Sequence, residues 1–226
     1  MTEEAGTGET VTGDAAIEEA LTEPVVNAAV IYYSATGTVF ALAKAAAAAA
    51  EKAGAEVRLR KVRELAPAEA VASSEGWAAH AAATQYVVEA SLEDLEWADV
   101  LLFGTPTRYG NPTAQMRQFI DTTGRLWAQG LLVNKIVSSF TASSTTHGGQ
   151  ESTILAMNNT FYHWGAIIVP PGYADPVQFR AGNPYGAGHT SDNGTIPPGD
   201  VQLEAMDFQA RRAVEVASAF LRGRLP

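Results

Sequence analysis

Short apolar runs alternate along this chain with longer helical patterns, and this alternation constrains the fold more than any other feature. The strand-like runs lie at residues 28–33, 98–103, 135–141 and 166–169, with a short alternating strand at residues 56–60. The helical patterns follow at residues 39–53, 111–123, 150–164 and 203–221. Alternating strands and helices form a parallel sheet with helices on both faces. We therefore predict an α/β protein with a five-stranded parallel sheet between two helical layers.

Local signals set the ends of several of these elements. Gly54 and Gly165 follow helical patterns and are typical of helix C-termini. Asn111 before Pro112 predicts a helix start, with asparagine as the N-cap. Residues 61–91 are irregular and predict a loop with one or two helices. Residues 170–200 are rich in Gly, Pro and Asn and predict a long loop.

The first 24 residues differ in composition from the rest of the chain. They contain seven of the 25 acidic residues and no Lys or Arg, so most of the formal net charge of −10 lies there. Such a segment buries too little apolar surface to order itself. We predict a disordered acidic extension over residues 1–24 and one domain over residues 25–226, a length that suits a single core.

Composition also excludes several classes of function. The chain has no cysteine, which excludes disulfides, thiolate zinc sites, iron–sulfur clusters and a cysteine nucleophile. No apolar run reaches the ~20 residues of a membrane span, and the N-terminus lacks the pattern of a signal peptide. The absence of a basic stripe argues against nucleic-acid binding. We expect a cytoplasmic protein without a metal site.

The loops that follow the strands are the candidate binding segments, because ligands of open parallel sheets lie beyond the carboxyl ends of the strands. The first loop, residues 34–39, lacks the spaced glycines of a dinucleotide fingerprint and the Gly-Lys-Ser/Thr of a P-loop. It offers hydroxyls and free N–H groups at a helix N-terminus, which suit one unreactive terminal phosphate. The alternative is a Ser/Thr-rich helix cap without a ligand.

Two further loops share this neutral, hydrogen-bonding character. The segment "GTPTRYGNPTAQMRQF", residues 104–119, places polar and aromatic side chains after a fully apolar strand. A flat ring held against backbone amides would explain it; the alternative is a rigid turn with a surface arginine. The segment "TASSTTHGGQES", residues 141–152, adds hydroxyls, two glycines and a helix start. A lone histidine there, His147, is more often a surface residue than a catalyst.

Long motifs give the chain a family resemblance. The segments "YYSATGTVFALA", "FGTPTRYGNPTAQMRQFIDTTGRLWAQG", "HGGQESTI", "HWGAIIVPPGY" and "GNPYGAG" resemble the WrbA-type flavodoxin-like NAD(P)H:quinone oxidoreductases. The resemblance spans residues 26–221. It implies a flavodoxin-like fold with strand order 2-1-3-4-5, bound FMN, NAD(P)H as co-substrate, a quinone as substrate, and a homotetramer whose subunits share active sites.

The resemblance also implies roles for individual residues. The FMN phosphate, ribityl chain and ring would contact residues of the three loops: Ser34, Ala35, Thr36, Gly37, Thr38, Val39, Thr105, Pro106, Thr107, Arg108, Tyr109, Gly110, Ser143, Ser144, Thr145, Thr146, His147 and Gly148. His163 would lie at the reacting face of the flavin as a cofactor-binding and catalytic residue. The substrates would contact Trp127, Tyr109 and Thr36.

The resemblance implies ping-pong kinetics, in which NAD(P)H and then a quinone occupy one cleft and the quinone leaves as hydroquinone. His163 would steer the quinone oxygen or supply a proton; the alternative is a histidine stabilised by a helix C-terminus. The rival function is that of a simple flavodoxin, a one-electron carrier that docks to proteins. The aromatic residues Trp127 and Tyr109 favour an enclosed cleft and thus the reductase.

Overall fold

A computed structural model of the chain describes residues 24–224. The predicted acidic extension therefore lies almost entirely outside the described residues. Six strands form the sheet: β1 (Asn27–Tyr32), β2 (Glu56–Lys61), β3 (Val100–Pro106), β4 (Ile136–Ser143), β5 (Ile167–Ile168) and β6 (Gly188–Thr190). Nine helices flank or edge the sheet within the described range: α1 (Thr38–Lys52), α2 (Ala68–Ala72), α3 (Glu75–Ala83), α4 (Leu92–Trp97), α5 (Ala114–Asp121), α6 (Gly124–Ala128), α7 (Gln150–Trp164), α8 (Pro176–Ala181) and α9 (Asp200–Arg222).

The sheet is parallel and its order, β2-β1-β3-β4-β5, confirms the predicted order. The prediction of five strands needs one correction, because β6 also pairs with β4 in parallel. Strand β3 occupies the other edge of β4, so β5 and β6 share one edge and form two halves of the fifth position. Strand β5 pairs at Ile136 and Val137, and β6 pairs at residues 141–143. Residues 169–187, which connect β5 to β6, lie outside the sheet.

Two apolar layers confirm the predicted sandwich. On one face, the alanine-rich helix α1 packs with α9 against the sheet, around Leu42 and Met206. On the other face, helices α4 to α7 bury Leu95, Met116 and Phe161. Small alanine side chains let α1 and α9 approach closely over the sheet. The strands read as continuous apolar runs because both faces are covered.

The structure confirms some predicted element ends and corrects others. Gly54 and Gly165 have positive φ angles of 90° and 69° just after α1 and α7, as predicted. The N-cap of α5 is Thr113, not Asn111: the Thr113 hydroxyl accepts from the Met116 N–H at 3.3 Å. Asn111 instead exchanges two backbone hydrogen bonds with Arg108, which keeps it in the preceding loop.

The two irregular segments have different outcomes. Residues 61–91 contain the helices α2 and α3, as predicted. Residues 170–200 are not a continuous loop, because α8 and β6 lie within them. Within residues 24–224, no helix combines the length and the apolar character that a bilayer span requires.

Candidate active site

The carboxyl ends of β1, β3 and β4 border a cavity of about 690 Å³. The three predicted loops contribute most of its walls, and segments distant in sequence complete it. The lining residues are Ser34, Ala35, Thr36, Thr38, Val39, Ser74, Pro106, Thr107, Arg108, Tyr109, Ala142, Ser143, Ser144, Thr145, Gly148, Ser191 and Asn193.

The first loop leaves the N-terminus of α1 open to the cavity. Gly37, the N-cap, has φ +94° and supplies no side-chain cap, and its N–H donates to the Ser34 hydroxyl at 3.1 Å. Thr38 is only 7% exposed and lines the cavity at this helix end. The Thr38 hydroxyl and the positive end of the helix dipole are therefore available to an anion in the cavity.

The second loop is held in one conformation by the start of α7. The Thr107 hydroxyl accepts from the Gly110 N–H at 3.0 Å and from the Thr153 hydroxyl at 2.8 Å. Gly149 lies so close that a Cβ placed on it would be 2.7 Å from the Gly110 Cα. This packing requires glycine at position 149 and ties the second loop to the third.

Tyr109 lies at the rim of the cavity in a costly conformation. Its φ angle is +53°, and its side chain is fully exposed at 101%. A left-handed conformation costs a non-glycine residue about 1–2 kcal/mol. The side chain of Tyr109 gains nothing from burial in return. A strained, exposed aromatic residue at a cavity rim indicates a binding role.

The third loop is ordered by its own hydrogen bonds. The Ser143 hydroxyl donates to the Thr145 carbonyl at 2.7 Å and accepts from Gln150 Nε2 at 2.8 Å. A Cβ on Gly148 would be 2.8 Å from the Ser143 Cβ. Beneath these loops, the Thr141 hydroxyl donates to the Thr105 carbonyl at 2.7 Å and joins β4 to β3. Neutral groups thus surround this end of the cavity.

Most of the predicted cofactor-binding residues line the cavity, but several do not. Thr105 is buried under the second loop, and its hydroxyl pairs with that of Thr113. Gly37 and Gly110 shape their loops through the backbone without lining the cavity. Thr146 borders a separate cavity of about 330 Å³, and His147 is exposed. Cofactor contact stays a prediction for these residues and for those that line the cavity.

His163 and Trp127 lie far from the cavity of their own chain. Helix α7 begins at the cavity with Gln150, and His163 is 13 residues further on, about 20 Å along the helix axis. Trp127 lies beside His163, because the Trp127 indole N–H donates to the His163 carbonyl at 2.9 Å. One chain therefore does not bring His163 to the reacting face, and the predicted roles of both residues require a second subunit.

Four cavity residues escaped the sequence-based prediction. Ala142 is the last but one residue of β4 and immediately precedes the predicted run 143–148, so it was missed by one position. Ser74 comes from the N-cap of α3, and Ser191 and Asn193 come from the turn after β6. The only signal for the last two was the turn-forming run "SDNGT" within a predicted loop.

A carboxylate behind the first loop joins four parts of the chain. Glu64 accepts hydrogen bonds from the Tyr33 hydroxyl at 2.8 Å, the Trp77 indole at 3.1 Å and Gln115 Nε2 at 2.6 Å. It also accepts from the N–H groups of Leu65 and Ala66. Burial alone would raise the pKa of Glu64, but these hydrogen bonds outweigh it and lower the pKa. Burial and the neighbouring carboxylate raise the pKa of Tyr33.

The cavity fits FMN. Where α1 begins, the first loop lines the cavity with hydroxyls and the N–H groups of the first helical turn and contributes no basic side chain, which suits a phosphate monoester that does not react. The rest of the lining comes from the second loop (which includes Arg108), the third loop, Ser74 and the turn after β6. With the β2-β1-β3-β4-β5 sheet, these features define a flavodoxin-like, FMN-binding protein.

Comparisons with known proteins agree with this class and narrow it. The profile of the NADPH-dependent FMN reductase family matches residues 28–177. The chain belongs to this family. A "NAD(P)H dehydrogenase (quinone)" of Deinococcus radiodurans is 45% identical over 202 residues, which cover 89% of this chain and 100% of that protein. A protein of the same name from Aromatoleum aromaticum is 44% identical and covers 86% of this chain and 97% of its own length.

Solved structures share the fold. A WrbA-like flavodoxin from Agrobacterium tumefaciens superimposes with a TM-score of 0.60 at 24% identity, over 85% of this chain and 97% of its own. An archaeal flavodoxin gives a TM-score of 0.54 at 18% identity, over 84% and 98% of the two chains. The sandwich and its strand order are thus those of flavodoxins.

Proposed function

We propose that this protein is an FMN-dependent oxidoreductase that reduces quinones to hydroquinones with NAD(P)H. The observation that carries the proposal is the cavity at the N-terminus of α1, where the first loop contributes Ser34, Thr36 and Thr38 and no charged side chain. The activity in the names of the two bacterial relatives supports the choice of substrates. Bound FMN supplies the two-electron redox chemistry that no amino-acid side chain provides.

The residues of the chain bind and orient the cofactor. The hydroxyls of Ser34, Thr36 and Thr38, with the free N–H groups of α1, bind the phosphate. Loops 105–110 and 143–148 hold the ring between them. Their backbone N–H groups would stabilise negative charge on the bound ring, because fixed dipoles need no reorganisation when charge develops.

Residues at the rim of the cavity complete the substrate-binding site. Tyr109 lies over the cavity opening and stacks on nicotinamide or quinone, which occupy the same place in turn. Thr36, exposed in the first loop, contacts the nucleotide. The shared place predicts that quinone competes with the nucleotide.

A second subunit supplies the remaining groups. Trp127 is 56% exposed and lies beside His163 at the end of the domain remote from the cavity. We propose that these two residues close the cavity of a neighbouring chain within a homotetramer. His163 of the partner subunit then holds a proton near the quinone oxygen, and Trp127 of the partner subunit walls the cleft. A cytoplasmic location and a single catalytic domain over residues 25–226 belong to the same proposal.

Steady-state kinetics test the function against that of a one-electron carrier. The FMN-loaded protein is assayed with NADH or NADPH and a water-soluble quinone, beside the same concentration of free FMN. We expect turnover well above that of free FMN, parallel initial-rate plots, and inhibition by excess quinone. Nucleotide oxidation no faster than with free FMN would reject the reductase and favour the carrier.

A further inference from the structure

The turn after β6 has a tightly specified conformation next to the cavity. It continues the pairing with β4, since the Ser191 N–H donates to the Ser143 carbonyl at 2.8 Å and the Asp192 N–H to the Ser144 carbonyl at 3.1 Å. Three successive residues then have left-handed φ angles: Asp192 at +43°, Asn193 at +56° and Gly194 at +91°. Left-handed residues are usually single. Such a run indicates a turn held by its surroundings.

This turn contacts two of the three cavity loops at once. The Ser144 hydroxyl donates to Asn193 Oδ1 at 2.9 Å, which joins the turn to the third loop. Gly194 presses on the first loop, because a Cβ at that position would be 2.4 Å from the Thr36 hydroxyl oxygen. The turn therefore spans from the third loop to the phosphate end of the cavity.

Asn193 is an exposed residue that lines the cavity, and its side chain has a donor that no protein group uses within the described residues. Its Oδ1 accepts from Ser144, so the two N–H bonds of Nδ2 are the groups left to donate. Within residues 24–224, no acceptor lies within hydrogen-bond distance of Nδ2. Asn193 also contributes the one side-chain amide among the residues that line the cavity. The adjacent Gly194 lies against Thr36, so the backbone of the turn contacts the first loop.

We propose that Asn193 binds a phosphate oxygen of FMN through Nδ2, so that the turn after β6 forms the fourth wall of the cofactor site. The inference rests on the proposed function and adds a ligand that neither the sequence motifs nor the three-loop site includes. A neutral amide matches the neutral character of the first loop. The hydrogen bond from Ser144 sets the orientation of the amide, and the left-handed backbone requires a residue such as asparagine, aspartate or glycine.

Asn193→Asp is the sharpest test. The variant keeps an oxygen to accept from Ser144 and tolerates the left-handed backbone, but it replaces the donor with a carboxylate oxygen. Binding of FMN and of riboflavin to the apoprotein is measured by quenching of flavin fluorescence, and apoprotein melting checks the fold. We expect FMN affinity to fall by more than about tenfold, the scale of a hydrogen bond to a charged group. Riboflavin affinity should change by less than about twofold, because riboflavin has no phosphate for Asn193 to contact.

Two companion variants control the test. Asn134→Asp makes the same substitution at an exposed asparagine that is also left-handed (φ +64°) and lies outside the cavity, and should change FMN affinity by less than about threefold, because solvent screens exposed charges. Asn193→Gly keeps the backbone conformation and removes the amide, and should lower FMN affinity about tenfold. This variant also keeps the test decisive if Asn193→Asp fails to fold.

The outcomes separate this inference from the proposed function. If the wild-type protein binds riboflavin as tightly as FMN, or binds neither flavin, both the proposed function and the role of Asn193 are overturned. Wild-type preference for FMN that survives Asn193→Asp and Asn193→Gly overturns the role of Asn193 alone. Equal weakening of FMN and riboflavin also overturns it, because that result indicates a structural or ribityl contact.

Discussion

At the scale of single residues, Thr38 gives the most direct test of the phosphate site. Thr38→Val keeps the shape of the side chain and removes a hydroxyl that lines the cavity. We expect FMN binding to weaken by about 1–3 kcal/mol, with riboflavin binding and apoprotein melting unchanged. Thr160→Val, at a partly exposed threonine of α7 that does not line the cavity, is the matched control for fluorescence titration. An unchanged FMN affinity would contradict the phosphate site.

Tyr109 allows function to be separated from stability at the same scale. Tyr109→Asn places a residue that tolerates φ +53° at a position whose side chain buries nothing. We expect the unfolding free energy to stay the same or rise slightly, because strain is relieved. The KM for quinone should rise several-fold, because the stacking surface is lost. A fall in stability with an unchanged KM would mean that Tyr109 serves the fold.

At the scale of elements, Glu64 fixes the α2–α3 segment to β1 and α5. Its pKa is lowered in the folded protein, so its contribution to stability is present above its ordinary pKa of about 4.5 and is lost as pH falls below that value. Glu64→Gln should therefore melt below wild type at pH 7, and the two melting temperatures should converge toward pH 3. Parallel curves over this range would show that the carboxylate charge is not what joins these elements.

A surface variant calibrates this comparison. Glu69 is exposed on α2 in the same segment. Glu69→Gln removes the same charge without breaking the Glu64 hydrogen bonds, so its melting temperature should follow wild type at every pH. A similar loss for both variants would indicate general charge effects.

At the scale of the whole molecule, the distance between His163 and the cavity predicts that active sites are shared between subunits. Two inactive variants are co-expressed: Thr38→Asp, which repels the FMN phosphate, and the double variant Trp127→Ala, His163→Ala. We expect mixed oligomers to recover quinone turnover, because some cavities then combine an intact first loop with intact Trp127 and His163 of the partner subunit.

Recovery of turnover by the co-expressed variants requires that the chains form a tetramer, so the oligomeric state is measured on the same samples. Light scattering with FMN should give a mass of four times the 23.8 kDa chain. The double variant should still bind FMN, because neither residue contacts the cavity of its own chain. Mixed tetramers that stay inactive would contradict the shared site, and a monomer at micromolar concentration would contradict the tetramer itself.

Local patterns determined most of the fold and the centre of the site. Continuous apolar runs define strands covered on both faces, and glycines such as Gly54 end helices through their own φ angles. The Ser/Thr loop at residues 34–39 predicted a phosphate cradle because its donors are contiguous in the chain. Each of these signals acts within a few residues, so the sequence alone suffices to read them.

Only the tertiary structure decided which distant residues meet and which separate. Thr113 takes the cap of α5 from Asn111 because Asn111 pairs with Arg108 across a turn. Asn193 reaches the cavity because β6 pairs with β4, a contact some 50 residues apart in sequence. His163 lies far from the cavity because it is near the C-terminus of the 15-residue helix α7, whose N-terminus adjoins the cavity. Strand register, the pairing of β6 with β4 and the position of α7 on the sheet depend on packing between elements, which no local pattern specifies.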